Sequence, residues 1–188
     1  VMEGRTLYFE EGGKANTDAT LEIVRERVEA LGIRQVVVAS THGYTAKRAS
    51  EVLEDLDVAI IAVTICAVFD EVGWTMTEEE RASVEALGVT VLTCMHALGD
   101  DVSEAFTDAA PNRIVRETLY RFSQGMKVAV EVALMAADAG LLDMSQEVIA
   151  VAGTGEGADT ALVLKPAYTR KFKELDIREI LAMPRGRG

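Results

Sequence analysis

Val36-Val37-Val38-Ala39-Ser40-Thr41-His42-Gly43-Tyr44-Thr45-Ala46 is the stretch that decides the fold. A β-branched run empties into hydroxyls, an imidazole and a glycine. A helical pattern then opens, with Ala46, Ala49, Leu53 and Leu56 on one face. A strand that turns directly into a helix is the repeating unit of an α/β fold. The turn also has the layout of an anion cradle. N–H groups at a helix start lack intrahelical partners and carry the positive end of the dipole. Gly43 lets the main chain approach a ligand closely, and Ser40, Thr41 and Thr45 add hydroxyl donors. Every α/β fold has several such turns, so these residues leave open both a phosphate loop and a plain strand-to-helix turn.

Upstream, residues 5–9 read as a short strand and Glu11-Gly12-Gly13 as a turn. Asn16 or Thr17 then caps a helix with Leu21, Val24, Val28 and Leu31 at helical spacing, closed by Gly32. Downstream, helix 45–56 leads to residues 58–64, an apolar run expected of a strand buried on both sides. Thr77-Glu78-Glu79-Glu80 is a capping box, Gly88 ends its helix, and residues 89–94 form the next strand. Successive strand–helix units imply parallel strands with right-handed crossovers. Pro111 suits a first helical position, with Val115, Leu119 and Phe122 as an inward stripe. Gly125 separates this helix from residues 126–139, which are apolar on nearly every side and suit a core or a homo-oligomer interface equally. Alternation over residues 128–132 also fits a strand. Residues 147–152 and 159–164 read as strands around a glycine-rich loop, and 177–183 as a last one. With no repeat or linker visible, one domain over residues 1–188 is expected.

A chain of 188 residues, 49% apolar, can bury a sizeable core. It is shorter than the roughly 250 residues of a typical (β/α)₈ barrel. The longest apolar runs fall far short of a membrane span, and the first residues lack the form of a secretory signal. Cys66 and Cys94 are isolated thiols without zinc or CxxC spacing, so a reduced, cytoplasmic protein is expected. Thirty-one acidic against 19 basic residues, net −12, argue against nucleic acid or an anionic membrane as partner.

In an open parallel sheet, ligands collect outside the carboxyl ends of the strands. Those ends carry Ser40, Thr41, His42 and Gly43; Thr64 and Cys66; Cys94 and His96; and Gly153-Thr154-Gly155-Glu156-Gly157. Both histidines therefore fall on one rim. Each has an alternative as a structural imidazole, and the glycine loop precedes a strand, so it fails the dinucleotide fingerprint. Glu131 either pairs with Lys127 one turn back or reaches the rim as a buried carboxylate. No metal-ligand cluster, GxSxG, Walker sequence or HExxH occurs.

Ser40 to Ala46, followed by Ile60-Ile61-Ala62-Val63-Thr64, resembles the C-terminal α/β domain of pyruvate kinases. There the corresponding loop receives a phosphate of a sugar-bisphosphate effector. The chain is still more similar to the stand-alone, mainly archaeal members of that superfamily. Asn16-Thr17, Met135-Ala136-Ala137-Asp138-Ala139-Gly140, Gly157-Ala158-Asp159-Thr160-Ala161, Lys165-Pro166-Ala167 and Met183-Pro184-Arg185 carry that likeness. The resemblance implies a three-layer αβα sandwich with a mixed, mostly parallel sheet, no kinase barrel and no pyruvate kinase activity. It implies flavin mononucleotide (FMN) as ligand, with the phosphate on Ser40, Thr41, Gly43, Tyr44 and Thr45. His96, Gly153, Thr154, Gly155, Gly157, Asp159 and Thr160 would line the remaining pocket. Where relatives show a His-Thr-Gly-Phe-like turn, this chain has Cys66-Ala67-Val68-Phe69, an apolar turn able to cover an aromatic ring.

The expectation is a cytosolic binding protein for a phosphorylated small molecule, FMN first, with the ring between the second and fourth strands. The alternatives are a regulatory module sensing a sugar phosphate, a flavin-dependent oxidoreductase, and a phosphate-transfer enzyme using His42 or His96.

Overall fold

Alternation along the central strands sets the layers. In β2 (Gln35–Ala39), Val36 and Val38 join one apolar cluster and Val37 the other, because successive side chains leave a strand on opposite faces. A computed structural model describes residues 3–99 and 111–186. Around β2 lie β1 (Leu7–Phe9), β3 (Ala59–Val63), β4 (Thr90–Leu92), β5 (Val148–Ala152), β6 (Thr160–Lys165) and β7 (Asp176–Pro184). They form one sheet in the order β1-β7-β6-β5-β2-β3-β4. Only β6 runs antiparallel to its neighbours. The other pairings are parallel. The carboxyl ends of β5, β2, β3 and β4 thus share an edge with the amino end of β6.

Helices α1 (Thr17–Leu31), α2 (Tyr44–Val52) and α3 (Glu78–Glu85) cover one face through Leu21, Val24, Ala46, Ala49 and Val84. On the other face lie α4 (Pro111–Leu119) and α5 (Gln124–Asp138), the latter burying Met126, Val130 and Leu134. Each such side chain stabilises by about 2 kcal/mol. This is the expected three-layer αβα sandwich, and the helical reading of residues 128–132 prevails over the strand.

Several local expectations need correction. Neither Asn16 nor Thr17 caps α1 with its side chain. The Asn16 amide donates to the Glu11 carbonyl, while Thr17 Oγ1 donates to the Lys14 carbonyl and accepts from Ala158 N–H, so both tie down loops. Helix α2 stops at Val52, short of Leu56, where the Arg25 guanidinium takes the Val52 carbonyl at 2.6 Å and grips Asp55. In β3 only residues 61–63 are buried, Ala59 standing exposed at the opposite end from the rim. β1 and β4 are shorter than expected, at three residues each. Gly125 lies inside α5 and does not separate two helices; it is glycine because a Cβ there would sit 2.2 Å from Thr160 Oγ1. Phe122, expected to face inward, is 47% exposed just beyond the end of α4. The capping box of α3 is complete in both directions, between Thr77 and Glu80. Gly32 ends α1 in the left-handed conformation, as expected.

Candidate functional site

The rim opens into a cavity of about 740 Å³. Its floor is Ala39, Val63 and Thr64, where β2 and β3 end. From one face of the sheet comes the start of α2 with Ser40, Thr41, His42, Tyr44 and Thr45; from the other comes α5 with Gln124, Lys127, Val128, Glu131, Val132 and Met135. The β5–β6 hairpin contributes Gly153, Gly155, Glu156 and Gly157, and His96 and Trp74 complete the wall.

The 40–45 turn leaves its amides available. The Ser40 hydroxyl accepts from Ala46 N–H at 3.2 Å, which leaves its own proton to donate. The N–H groups of Tyr44 and Thr45 have no acceptor among the described residues. Lys14 stands beside them, its Nζ 4.3 Å from the centre of the Tyr44 ring and 3.1 Å from a Glu156 carboxylate oxygen. His42 Nδ1 lies 3.2 Å from Glu80 Oε2. The bond from Thr77 N–H, and then that from His42, hold the Glu80 carboxyl below the usual carboxylate range.

Gly43 does not line the cavity. Its φ is 85°, and a Cβ would sit 2.7 Å from Val84 Cγ2, so glycine is required here by backbone conformation and by packing on α3. Backbone conformation and packing, not the expected close approach to a ligand, account for this glycine. Thr154, Asp159 and Thr160 lie behind the wall. The fully buried Asp159 accepts from Gly13 N–H at 2.7 Å, Thr154 N–H at 2.9 Å and Thr160 Oγ1 at 2.7 Å. It fastens the β1–α1 loop to the hairpin. The remaining expected site residues, Ser40, Thr41, His42, Tyr44, Thr45, His96, Gly153, Gly155 and Gly157, converge on the cavity.

β3 lies between β2 and β4, so no crevice separates those two strands directly. The cavity instead spans the ends of β5, β2 and β3. Beside it, the 66–69 segment leads into a 3₁₀ turn, Ala67–Val72, that brings Phe69 against Trp74 and His96 at ring-centre distances of 6.0 and 5.9 Å. Cys66 and Cys94 form no disulfide; burial, then the Asp138 charge, raises the Cys94 pKa above its ordinary value. Among the described residues, no group of three His, Cys, Asp or Glu could hold a metal, and no helix is long and apolar enough to cross a membrane.

Sequence reasoning missed Lys14, Trp74, Tyr120 and Gln124, which tertiary packing alone brings to the site. Lys127 and Glu131 did leave a signal, as two charges one helical turn apart in an otherwise apolar segment.

This arrangement agrees with the comparison to known proteins. Residues 18–164 match the family model described as "Pyruvate kinase, alpha/beta domain". The chain belongs to this family. A structural match, to Cryptosporidium parvum pyruvate kinase in complex with ADP, has 16% identity and a TM-score of 0.40. It covers 78% of the present chain and 22% of that enzyme, so this pyruvate kinase alpha/beta domain spans less than a quarter of its length.

Proposed function

We propose that this pyruvate kinase alpha/beta domain binds a phosphorylated small molecule, with FMN the favoured ligand and the phosphate at the start of α2. The observation that supports this most is that the amides of Tyr44 and Thr45, without acceptors among the described residues, stand beside the Ser40 hydroxyl and the Lys14 ammonium, all on one cavity. An anion there gains charge-assisted hydrogen bonds without removing any bond the fold already makes. The remaining wall suits a planar ring: Trp74, Tyr120, Val128, Val132 and Met135 are apolar or aromatic, and His96 already packs against Phe69. A flavin bound there would supply redox chemistry.

Trp74 is the single tryptophan, so its fluorescence reports on this cavity alone. Titration with FMN is expected to quench it with sub-millimolar affinity. Lys14→Met should weaken FMN about fivefold, close to 1 kcal/mol for one charge-assisted contact, and leave riboflavin, which has no phosphate, unaffected. Absence of FMN binding would refute FMN as the ligand, and equal losses for FMN and riboflavin would refute the phosphate assignment.

A further inference from the structure

On the α5 wall, Lys127 and Glu131 form an ion pair with side chains only 8% and 4% exposed and Nζ 2.5 Å from Oε2. Glu131 Oε1 accepts from Leu98 N–H at 3.1 Å, and Lys127 Nζ lies 5.7 Å from the centre of the Tyr120 ring. An ion pair at this depth is weakly justified by stability. Desolvation costs several kcal/mol per ion, and apolar replacements of similar volume are often neutral or better. The neighbouring wall residues Val128, Val132 and Met135 show that apolar side chains fit the same surface.

Both residues line the cavity, and the pair retains bonding capacity. An ammonium has three donors. Glu131 takes one, and the other two have no acceptor among the described residues, the Tyr120 ring standing 5.7 Å from the nitrogen. A carboxylate has about four acceptor sites, of which Leu98 and Lys127 occupy two. Donor and acceptor therefore stand side by side with no net charge, a poor match for a second anion and a good one for a neutral polar edge.

We infer that Lys127 and Glu131 form a second subsite that reads the imide edge of a planar heterocycle. The ammonium donates to a ring carbonyl and the carboxylate accepts from the adjacent ring N–H. This inference rests on the phosphate reading of the 40–45 turn and gives the ligand a neutral, hydrogen-bonding far end. Flavin and uracil rings both carry this edge.

The test titrates the whole chain with FMN, UMP, their N3-methyl derivatives and inorganic phosphate. N3-methylation is expected to weaken whichever nucleotide binds by at least tenfold. K127M/E131L, which removes both charges at similar volume, should lose at least tenfold for that nucleotide and bind inorganic phosphate within twofold of wild type. Losses confined to FMN assign the subsite to a flavin, and losses confined to UMP to a pyrimidine. Equal affinity for the methylated and unmethylated ligands overturns the subsite while phosphate binding still supports the cradle. Failure of inorganic phosphate, FMN and UMP alike to bind wild type overturns both readings. Should K127M/E131L not fold, the methylated ligands on wild type decide.

Discussion

The 40–45 turn and the 153–157 turn lie on the same rim, and each contains glycine in the left-handed region: Gly43 at φ 85°, Gly155 at 72° and Gly157 at 71°. In the first, the chain enters a helix and the amides of Tyr44 and Thr45, beside the cavity, have no acceptor among the described residues. In the second, the chain doubles back between antiparallel strands, and Thr154 N–H and Ala158 N–H go to Asp159 and Thr17. Two turns of similar composition thus do opposite work. One leaves its donors open beside the cavity, and the other uses them to hold the cavity's wall in place.

The strongest way to break this contrast is at Asp159. Asp159→Ala removes a fully buried carboxylate and strands three donors, that of Thr160 buried and those of Gly13 and Thr154 part-buried. At 1–3 kcal/mol each with partial relaxation, unfolding in urea should show a loss of about 4 kcal/mol. A loss under 1 kcal/mol would mean that the hairpin is not held this way. Next in size, Gly157→Ala places a Cβ 2.4 Å from Thr17 Oγ1 and 2.6 Å from Lys14 Cα, whereas Gly155→Ala meets nothing within 4 Å. The first should cost about 3 kcal/mol of stability and the second about 1, the left-handed penalty alone. Similar costs at both positions would remove packing as the cause.

The other turn should respond in binding. Gly43→Val combines φ 85° with a 2.7 Å contact to Val84, shifting the start of α2. FMN affinity should fall by about 2 kcal/mol, roughly thirtyfold. Undiminished affinity in the folded variant would show that the cradle does not hold the phosphate. The smallest effect is expected at Glu80, which braces His42 against α3. Its carboxyl is held low, first by Thr77 N–H and then by His42. The resulting stabilisation is complete above the ordinary glutamate value, about 4.3, and fades as pH falls through the depressed folded value. The melting-temperature gap between wild type and Glu80→Gln should therefore be full near neutral pH and close in acid. A gap that persists unchanged in acid would assign the brace to packing instead.

Much of the architecture was legible because it depends on local patterns. The run at 36–38, the spacing of Leu21, Val24 and Val28, the left-handed Gly32 and the Thr77 capping box each reflect interactions within a few residues. The rim was legible too, since parallel strands bring their carboxyl ends to one edge. Other features depend on contacts remote in sequence. Arg25 shortens α2 from 27 residues away, and Thr17 serves Ala158, 141 residues away, so it does not cap its own helix. Lys14 reaches Tyr44 only because β1 lies at the far edge of the sheet and its following loop returns across the rim.

Periodicity and turn chemistry by themselves determined which segments are strands and helices, and that hydroxyls, imidazoles and glycines gather at strand ends. The folded chain alone decided which amides remain free, which glycine serves packing, and that Lys127 and Glu131 line the same cavity as Ser40. The physical reason is range. Hydrophobic spacing and capping act within one or two turns of chain, whereas burial and hydrogen-bond satisfaction are set by whichever distant element occupies the adjoining space.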